Sequence, residues 1–157
     1  MNRFSAILIS IILIFVSACA NSQADNKSIA IGEISQQQLM QDHSSFQQSY
    51  LIAKLSDAEI TEINTWPRDL QVEVYFGTWC HDSQREVPKF LKILAENSTI
   101  SSRLFGLDYT KSEPSGRAKI HDIKYTPTFI VYQNNREIGR IIERPKVSLI
   151  ADISAML

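Results

Sequence analysis

Leu70-Gln71-Val72-Glu73-Val74-Tyr75-Phe76-Gly77-Thr78-Trp79-Cys80-His81-Asp82-Ser83 is the stretch on which the fold turns. Val72, Val74 and Phe76 fall on one side of a two-residue alternation, which reads as a strand from Leu70 to Phe76. Gly77 to Ser83 reads as a turn, and a helix is expected to follow to about Asn97, so Cys80 stands at a strand-to-helix junction. Glu73 is expected to point to the sheet face opposite Val72 and Val74.

Downstream of that junction, Leu104 to Tyr109 reads as another strand, with Asp108 near its end. Lys111 to Gly116 reads as a loop and Arg117 to Asp122 as a short helix. Thr128 to Tyr132 and Glu137 to Glu143 flank Asn134-Asn135, a pair that favours a hairpin turn. Val147 to Leu157 has the apolar spacing of a closing helix. Upstream, Ile29 to Ile34 is a candidate short strand, and Gln36 to Tyr50 carries Leu39, Met40, His43, Phe46 and Tyr50 at helical spacing. Ser56 and Glu59 have the spacing of a capping box opening a short helix to about Thr65, and Pro67 with Arg68-Asp69 breaks that pattern. Strands alternating with helices imply a parallel βαβ unit, and the terminal hairpin adds an antiparallel part. The fold expected is α/β, a central mixed sheet of four or five strands flanked by helices.

From Leu70 to Leu157 the sequence resembles the thioredoxin superfamily. The resemblance rests on a strand leading into Trp79-Cys80, Pro88 eight residues on, Leu107-Asp108, the segment Tyr125-Thr126-Pro127-Thr128-Phe129, and Gly139 in the last strand. It implies a cis peptide at Thr126-Pro127 beside Cys80, and a backbone edge there with which a substrate segment pairs as an added strand. A cysteine at a helix N-terminus faces unpaired N–H groups and the positive end of the helix dipole, and both favour the nucleophilic thiolate. Trp79 offers a flat apolar wall beside the sulfur. The residues singled out are Cys80 and Ser83 for catalysis, and Trp79, His81, Asp82, Thr126 and Pro127 for substrate binding.

Two departures from the family pattern bear on mechanism. Ser83 stands where the second, resolving cysteine would be; its hydroxyl can hydrogen-bond the Cys80 thiolate but cannot break a mixed disulfide. Val74 stands where the family carries a buried acid six positions before the cysteine, which removes the usual proton shuttle. For His81 and Asp82 two readings stand. A histidinium would favour the thiolate and Asp82 would oppose it, or both are solvent-exposed turn residues. His43 and His121 read as ordinary helix residues.

The amino terminus reads as a processing signal: Arg3, an apolar run from Ala6 to Val16, then small residues, too short for a membrane-spanning helix. Val16-Ser17-Ala18-Cys19 resembles a lipobox, which implies cleavage before Cys19 and a lipid on that cysteine; an ordinary signal peptide cut nearby is the alternative. The domain expectation is a signal peptide over 1–18, a polar tether over 19–28, and a thioredoxin-like domain over 29–157. Ala20, rather than Asp, after the lipidated cysteine points to the outer membrane rather than the inner, with the domain facing the periplasm. Removing residues 1–18 takes Lys plus Arg from 16 to 15 against 17 acids, a net charge of −2 that speaks against nucleic acid. With Cys19 lipidated, Cys80 is the remaining thiol, and a lone thiol in an exported protein points to a reactive role.

No Cys/His cluster has zinc spacing, a copper-handling relative would need a second sulfur near Cys80, and the Pro-x-x-x-Thr-x-x-Cys run of peroxiredoxins is missing. No metal or cofactor is expected. Two functions remain. One is a monothiol exchange enzyme acting on cell-envelope protein thiols or disulfides, with an external thiol reductant as resolver. The other is a non-catalytic binding module, a chaperone or adaptor for exported proteins. Retained Trp79-Cys80 and Thr126-Pro127 favour the first; the lost sulfur and lost acid favour the second.

Overall fold

The computed structural model describes residues 28–157; the expected signal peptide, Cys19 and nearly all of the tether lie outside the described residues. The chain runs β1 (Gly32–Ile34), α1 (Gln36–Asp42), α2 (Ser44–Ile52), α3 (Asp57–Ile63), β2 (Gln71–Phe76), α4 (His81–Glu96), β3 (Ser101–Gly106), α5 (Arg117–Ile120), β4 (Thr128–Gln133), β5 (Arg136–Ile142) and α6 (Leu149–Ser154). These form a five-stranded mixed sheet in the order β1-β3-β2-β4-β5, parallel between β2 and β3 and antiparallel elsewhere. The expected class, a thioredoxin-like α/β fold with a central mixed sheet, is what the chain adopts.

β2 is the central strand, paired on both edges, and side chains from elements on either side of the sheet cover both of its faces. Val72, Val74 and Phe76 join the larger core with Leu39, Phe46, Ile63, residues of α4, and Leu149, Ile150 and Ile153 of α6. Tyr75 faces the other way and joins Phe105, Leu107, Ala118, Ile123 and Ile130 under α5. The two-residue alternation therefore sorts this strand correctly, with Glu73 on the α5 face.

Several boundaries differ from the sequence expectation for local reasons. The single helix expected over Gln36–Tyr50 is two helices, because His43 turns to extended backbone (φ −130°, ψ 94°) between them. Leu39 and Phe46 are buried on either side, so the apolar stripe continues through a break that periodicity cannot register. β3 begins at Ser101, three residues early, because its polar first half, Ser101–Arg103, pairs with Gln71–Glu73 of β2 while staying exposed on its side chains. The last helix starts late because Ser148 caps it by accepting from the Ala151 N–H (3.1 Å), while the Asp152 carboxylate accepts the N–H groups of Lys146 and Val147. The capping box at Ser56 and Glu59 forms as the spacing predicts.

Gly106 is required where the segment leading into β1 passes the end of β3: a Cβ there would lie 2.5 Å from the Ala30 carbonyl oxygen. Among the described residues no helix is long and apolar enough to cross a membrane.

Candidate functional site

The end of the central strand delivers the chain into a tight turn. The Cys80 N–H donates to the Gly77 carbonyl (3.0 Å), and the Cys80 carbonyl accepts from Gln84 N–H to open α4. Cys80 is therefore the N-cap of α4 (φ −91°, ψ 122°), with its side chain partly exposed. The turn is held from beneath by Thr78, whose hydroxyl oxygen accepts from the Ala30 N–H (3.3 Å) and whose carbonyl accepts from the Gln84 side chain (2.7 Å).

The Cys80 Sγ–H donates to the Thr126 carbonyl oxygen at 3.1 Å. The Thr126-Pro127 peptide is cis, and both residues are buried where the chain enters β4. Residues 46 positions apart thus meet through pairing of β2 with β4, which aligns Tyr75 with Thr128. Trp79 lies across the turn: its indole N–H donates to the Leu107 carbonyl (3.2 Å) and its ring stands against Tyr109, centroids 5.0 Å apart. Its indole also fills the space over Gly77, where a Cβ would come within 2.6 Å of the ring. Cys80 and the Thr126-Pro127 segment are brought together at the sulfur, while Trp79 packs on the other parts of the same turn, over Gly77 and against Leu107 and Tyr109.

Ser83 departs from expectation. It is 0 % exposed, and its Oγ accepts from the Gly77 N–H (3.3 Å) instead of meeting the Cys80 sulfur. One turn into α4 its side chain leans back towards the strand end, where the Gly77 N–H needs an acceptor. Ser83 is thus a clamp on the turn that presents Cys80.

His81 is exposed, whereas Asp82 is engaged. The Asp82 carboxylate pairs with Arg85 one turn on (2.8 Å) and with Arg144 from the segment after β5 (3.2 Å). Partial burial pushes this carboxyl up, but the bonds from Arg144 and Arg85 outweigh it and hold it below the usual carboxylate range. Arg85 is legible at helical spacing; Arg144 lies 62 residues away and no local signal points to it. Tyr109 and Arg144 are the site residues that the sequence does not single out.

Val74 is fully buried in the larger core, so no carboxylate stands behind Cys80 at that position. The acid next to it, Glu73, is 8 % exposed and belongs to a separate network on the α5 face. It accepts from the Tyr75 hydroxyl (2.7 Å) and from Arg117, with Arg103 at 3.5 Å and His121 at 3.7 Å. Burial pushes the Glu73 carboxyl up, but hydrogen bonds from Arg117 and Tyr75 and the charge of Arg117 outweigh it and hold it low. The same burial and the Glu73 charge push the Tyr75 phenol up. Tyr132, beside His121, is pushed up to about 12, mainly by burial. His121 is thus a member of an ionic network, at the end of the short helix rather than within it. His43 is the hinge between α1 and α2. Among the described residues no group of three His, Cys, Asp or Glu side chains could hold a metal ion.

Comparison with known proteins agrees with this fold. A family profile described as thioredoxin matches residues 32–151. Thioredoxin H9 of Arabidopsis thaliana is 26 % identical over 83 residues, which cover 53 % of this chain and 56 % of that protein, so the match spans little over half of the curated relative. A Pseudomonas aeruginosa protein of unknown function, solved as a crystal structure, aligns over 72 % of this chain and 80 % of its own with a TM-score of 0.55 at 18 % identity. An HIV epitope scaffold aligns over the same shares with a TM-score of 0.56 at 17 % identity. At such identities the two structures speak to fold alone.

Proposed function

Because the chain belongs to the thioredoxin family, we propose that it is a monothiol thiol–disulfide exchange protein, with Cys80 as nucleophile and an external thiol as resolver. One observation carries the reading. A partly exposed thiol at the N-terminus of α4 sits 3.1 Å from the carbonyl that precedes a cis proline, while the residue one turn on is a buried serine.

In the first step the Cys80 thiolate attacks one sulfur of a substrate disulfide. A new S–S bond joins Cys80 to the substrate, the old one breaks, and the departing thiolate takes a proton from solvent. Ser83 cannot attack the mixed disulfide, so an external thiolate does so. That thiolate bonds to the sulfur joined to Cys80, and Cys80 leaves as thiolate. Net, one substrate sulfur leaves as a thiol and the other is left in a mixed disulfide with the external thiol; a second external thiol that attacks this mixed disulfide completes the reduction and is itself oxidised to a disulfide with the first. The backbone edge at Thr126-Pro127 is the place for the substrate chain to lie.

The proposed setting is the cell envelope: a lipid on Cys19 anchors the protein, in the outer rather than the inner membrane, with the domain facing the periplasm and its substrates among cell-envelope proteins. This rests on the charged start, apolar run and Val16-Ser17-Ala18-Cys19 of the sequence. Metabolic labelling with a fatty acid is expected to mark the protein and to be lost on Cys19→Ala; a labelled Cys19→Ala protein would remove the anchor from the proposal.

A non-catalytic binding module is the competing reading, favoured by Val74 and by the engagement of Ser83 with Gly77. Oxidised glutathione separates the two. The native protein is expected to take up one glutathione at Cys80 and to keep it until an external thiol is added, with no adduct in Cys80→Ser. A native Cys80 that stays free in excess oxidised glutathione would overturn the exchange reading in favour of the binding module.

A further inference from the structure

The side chain that closes the reactive site comes from the far end of the sheet. After β5 the chain turns sharply at Glu143 (φ 60°), whose N–H donates to the Pro127 carbonyl (2.7 Å). The next residue, Arg144, reaches back to Asp82 through Nε (3.3 Å) and one terminal nitrogen (3.2 Å). The links form a ring: Cys80 to Thr126, Thr126 to Pro127, Pro127 to Glu143, Glu143 to Arg144, Arg144 to Asp82, and Asp82 back through the first residues of α4 to Cys80. A carboxylate two residues from the sulfur repels both thiolate formation and any anionic partner that approaches. Here it meets two guanidinium groups, Arg85 and Arg144.

Arg85 divides its charge between Asp82 and Glu86, whereas the Arg144 side chain pairs with Asp82 alone among the described residues. The Arg144 side chain is 68 % exposed, so the pair contributes little to folding and its guanidinium stays open to solvent, tied to a carboxylate two residues along the chain from Cys80. Guanidinium groups receive carboxylates by paired N–H bonds.

We propose that Arg144 is a specificity-determining residue: by masking Asp82 and presenting its own charge at the start of α4, it makes the site favour anionic thiols and disulfides, those carrying a carboxylate, over neutral ones. This rests on the monothiol reading for its biological sense, since the external resolver is the partner it would select. Its test is independent of turnover.

Two alkylators of the same mechanism and near-equal size, iodoacetate and iodoacetamide, differ in charge. In each, the Cys80 thiolate forms an S–C bond and displaces iodide, and the thiol proton goes to solvent. Rates are read at Cys80 by peptide mass on the full chain at low salt. The ratio of iodoacetate to iodoacetamide rates is expected to fall about two- to fivefold in Arg144→Gln, the size expected for one exposed charge at near range. Arg144→Lys is expected to restore the ratio, Asp82→Asn to raise it, and about 1 M salt, where the Debye length is about 3 Å, to remove the difference. A general loss of fold would move both rates together and leave the ratio unchanged. An unchanged ratio in Arg144→Gln with Cys80 still reactive would overturn the proposal, as would failure of Arg144→Lys to restore it. A protein that shows the ratio effect but forms no mixed disulfide with oxidised glutathione would sink the exchange reading while leaving Arg144 in its role.

Discussion

Ser83→Cys is expected to turn a slow monothiol into a working dithiol. The turn carries one sulfur, so under the proposed exchange mechanism a mixed disulfide waits for a thiol from solution. Position 83 lies one helical turn beyond Cys80, a separation that a disulfide can close, since bonded cysteines have Cα atoms about 4.4–6.8 Å apart. The new thiol would be buried and shielded from solvent, and it meets Cys80 by turning away from the Gly77 N–H that Ser83 now engages. An intramolecular thiol acts at an effective concentration far above the roughly millimolar level of an external one, so insulin reduction with a dithiol donor should rise on the order of tenfold or more. The cost is at the turn. Gly77 N–H now donates to Ser83 Oγ, and sulfur is a poorer acceptor, so about 1 kcal/mol of stability should be lost. The expected product on oxidation is a disulfide between Cys80 and the introduced thiol, seen by peptide mass. A folded variant that stays reduced at both thiols, or gains no insulin activity, would show that more than a missing sulfur separates this site from a dithiol enzyme.

How far the sequence anticipates this site depends on the range of the contacts. The strand, turn and helix from Leu70 onwards are legible because every signal is local: alternation in β2, Gly77 at the turn, apolar spacing in α4. The Ser56 capping box is legible for the same reason. Thr126-Pro127 is 46 residues from Cys80, and only family resemblance places it beside the sulfur in advance. What stays hidden is either polar or long-range. The polar first half of β3 has no apolar signature, and the break at His43 leaves the apolar stripe intact. Spacing aims Ser83 at the wrong partner because it gives proximity to Cys80 but not the direction of Oγ or the needs of Gly77 N–H. Arg144 escapes a reading of the sequence because its link to Asp82 depends on a turn after β5 whose position is set by Pro127.

Glu73→Ala is expected to cost about 3 kcal/mol of folding stability, the low end for breaking a buried ionic pair. Glu73 is placed on the α5 face by the same alternation that puts Val74 in the main core, so it is remote from the thiol by construction. Its removal strands the fully buried Tyr75 hydroxyl and the Arg117 guanidinium, whose Nε is already buried without a partner among the described residues. Arg103 and Arg117 are partly exposed and regain water, which keeps the cost from the upper end. The pH dependence has a fixed sign. The Glu73 carboxyl is held low in the folded chain, so the folded state binds fewer protons there than the unfolded one. Its contribution is therefore complete above the unfolded carboxyl value of about 4.3 and is lost as pH falls through the lower folded value. Urea unfolding should show the full gap between native and Glu73→Ala at pH 7 and a narrowing gap below about pH 4. Glu73→Gln, which keeps an acceptor for Tyr75, should cost less than Glu73→Ala at pH 7. Glutathione uptake at Cys80 should be unchanged in both variants under conditions where they are folded, because the network lies on the other face of the sheet from α4. Altered uptake in a folded Glu73→Gln would couple this carboxylate to the thiol, and a gap that stays constant from pH 7 to pH 3 would mean that its charge contributes nothing to the fold.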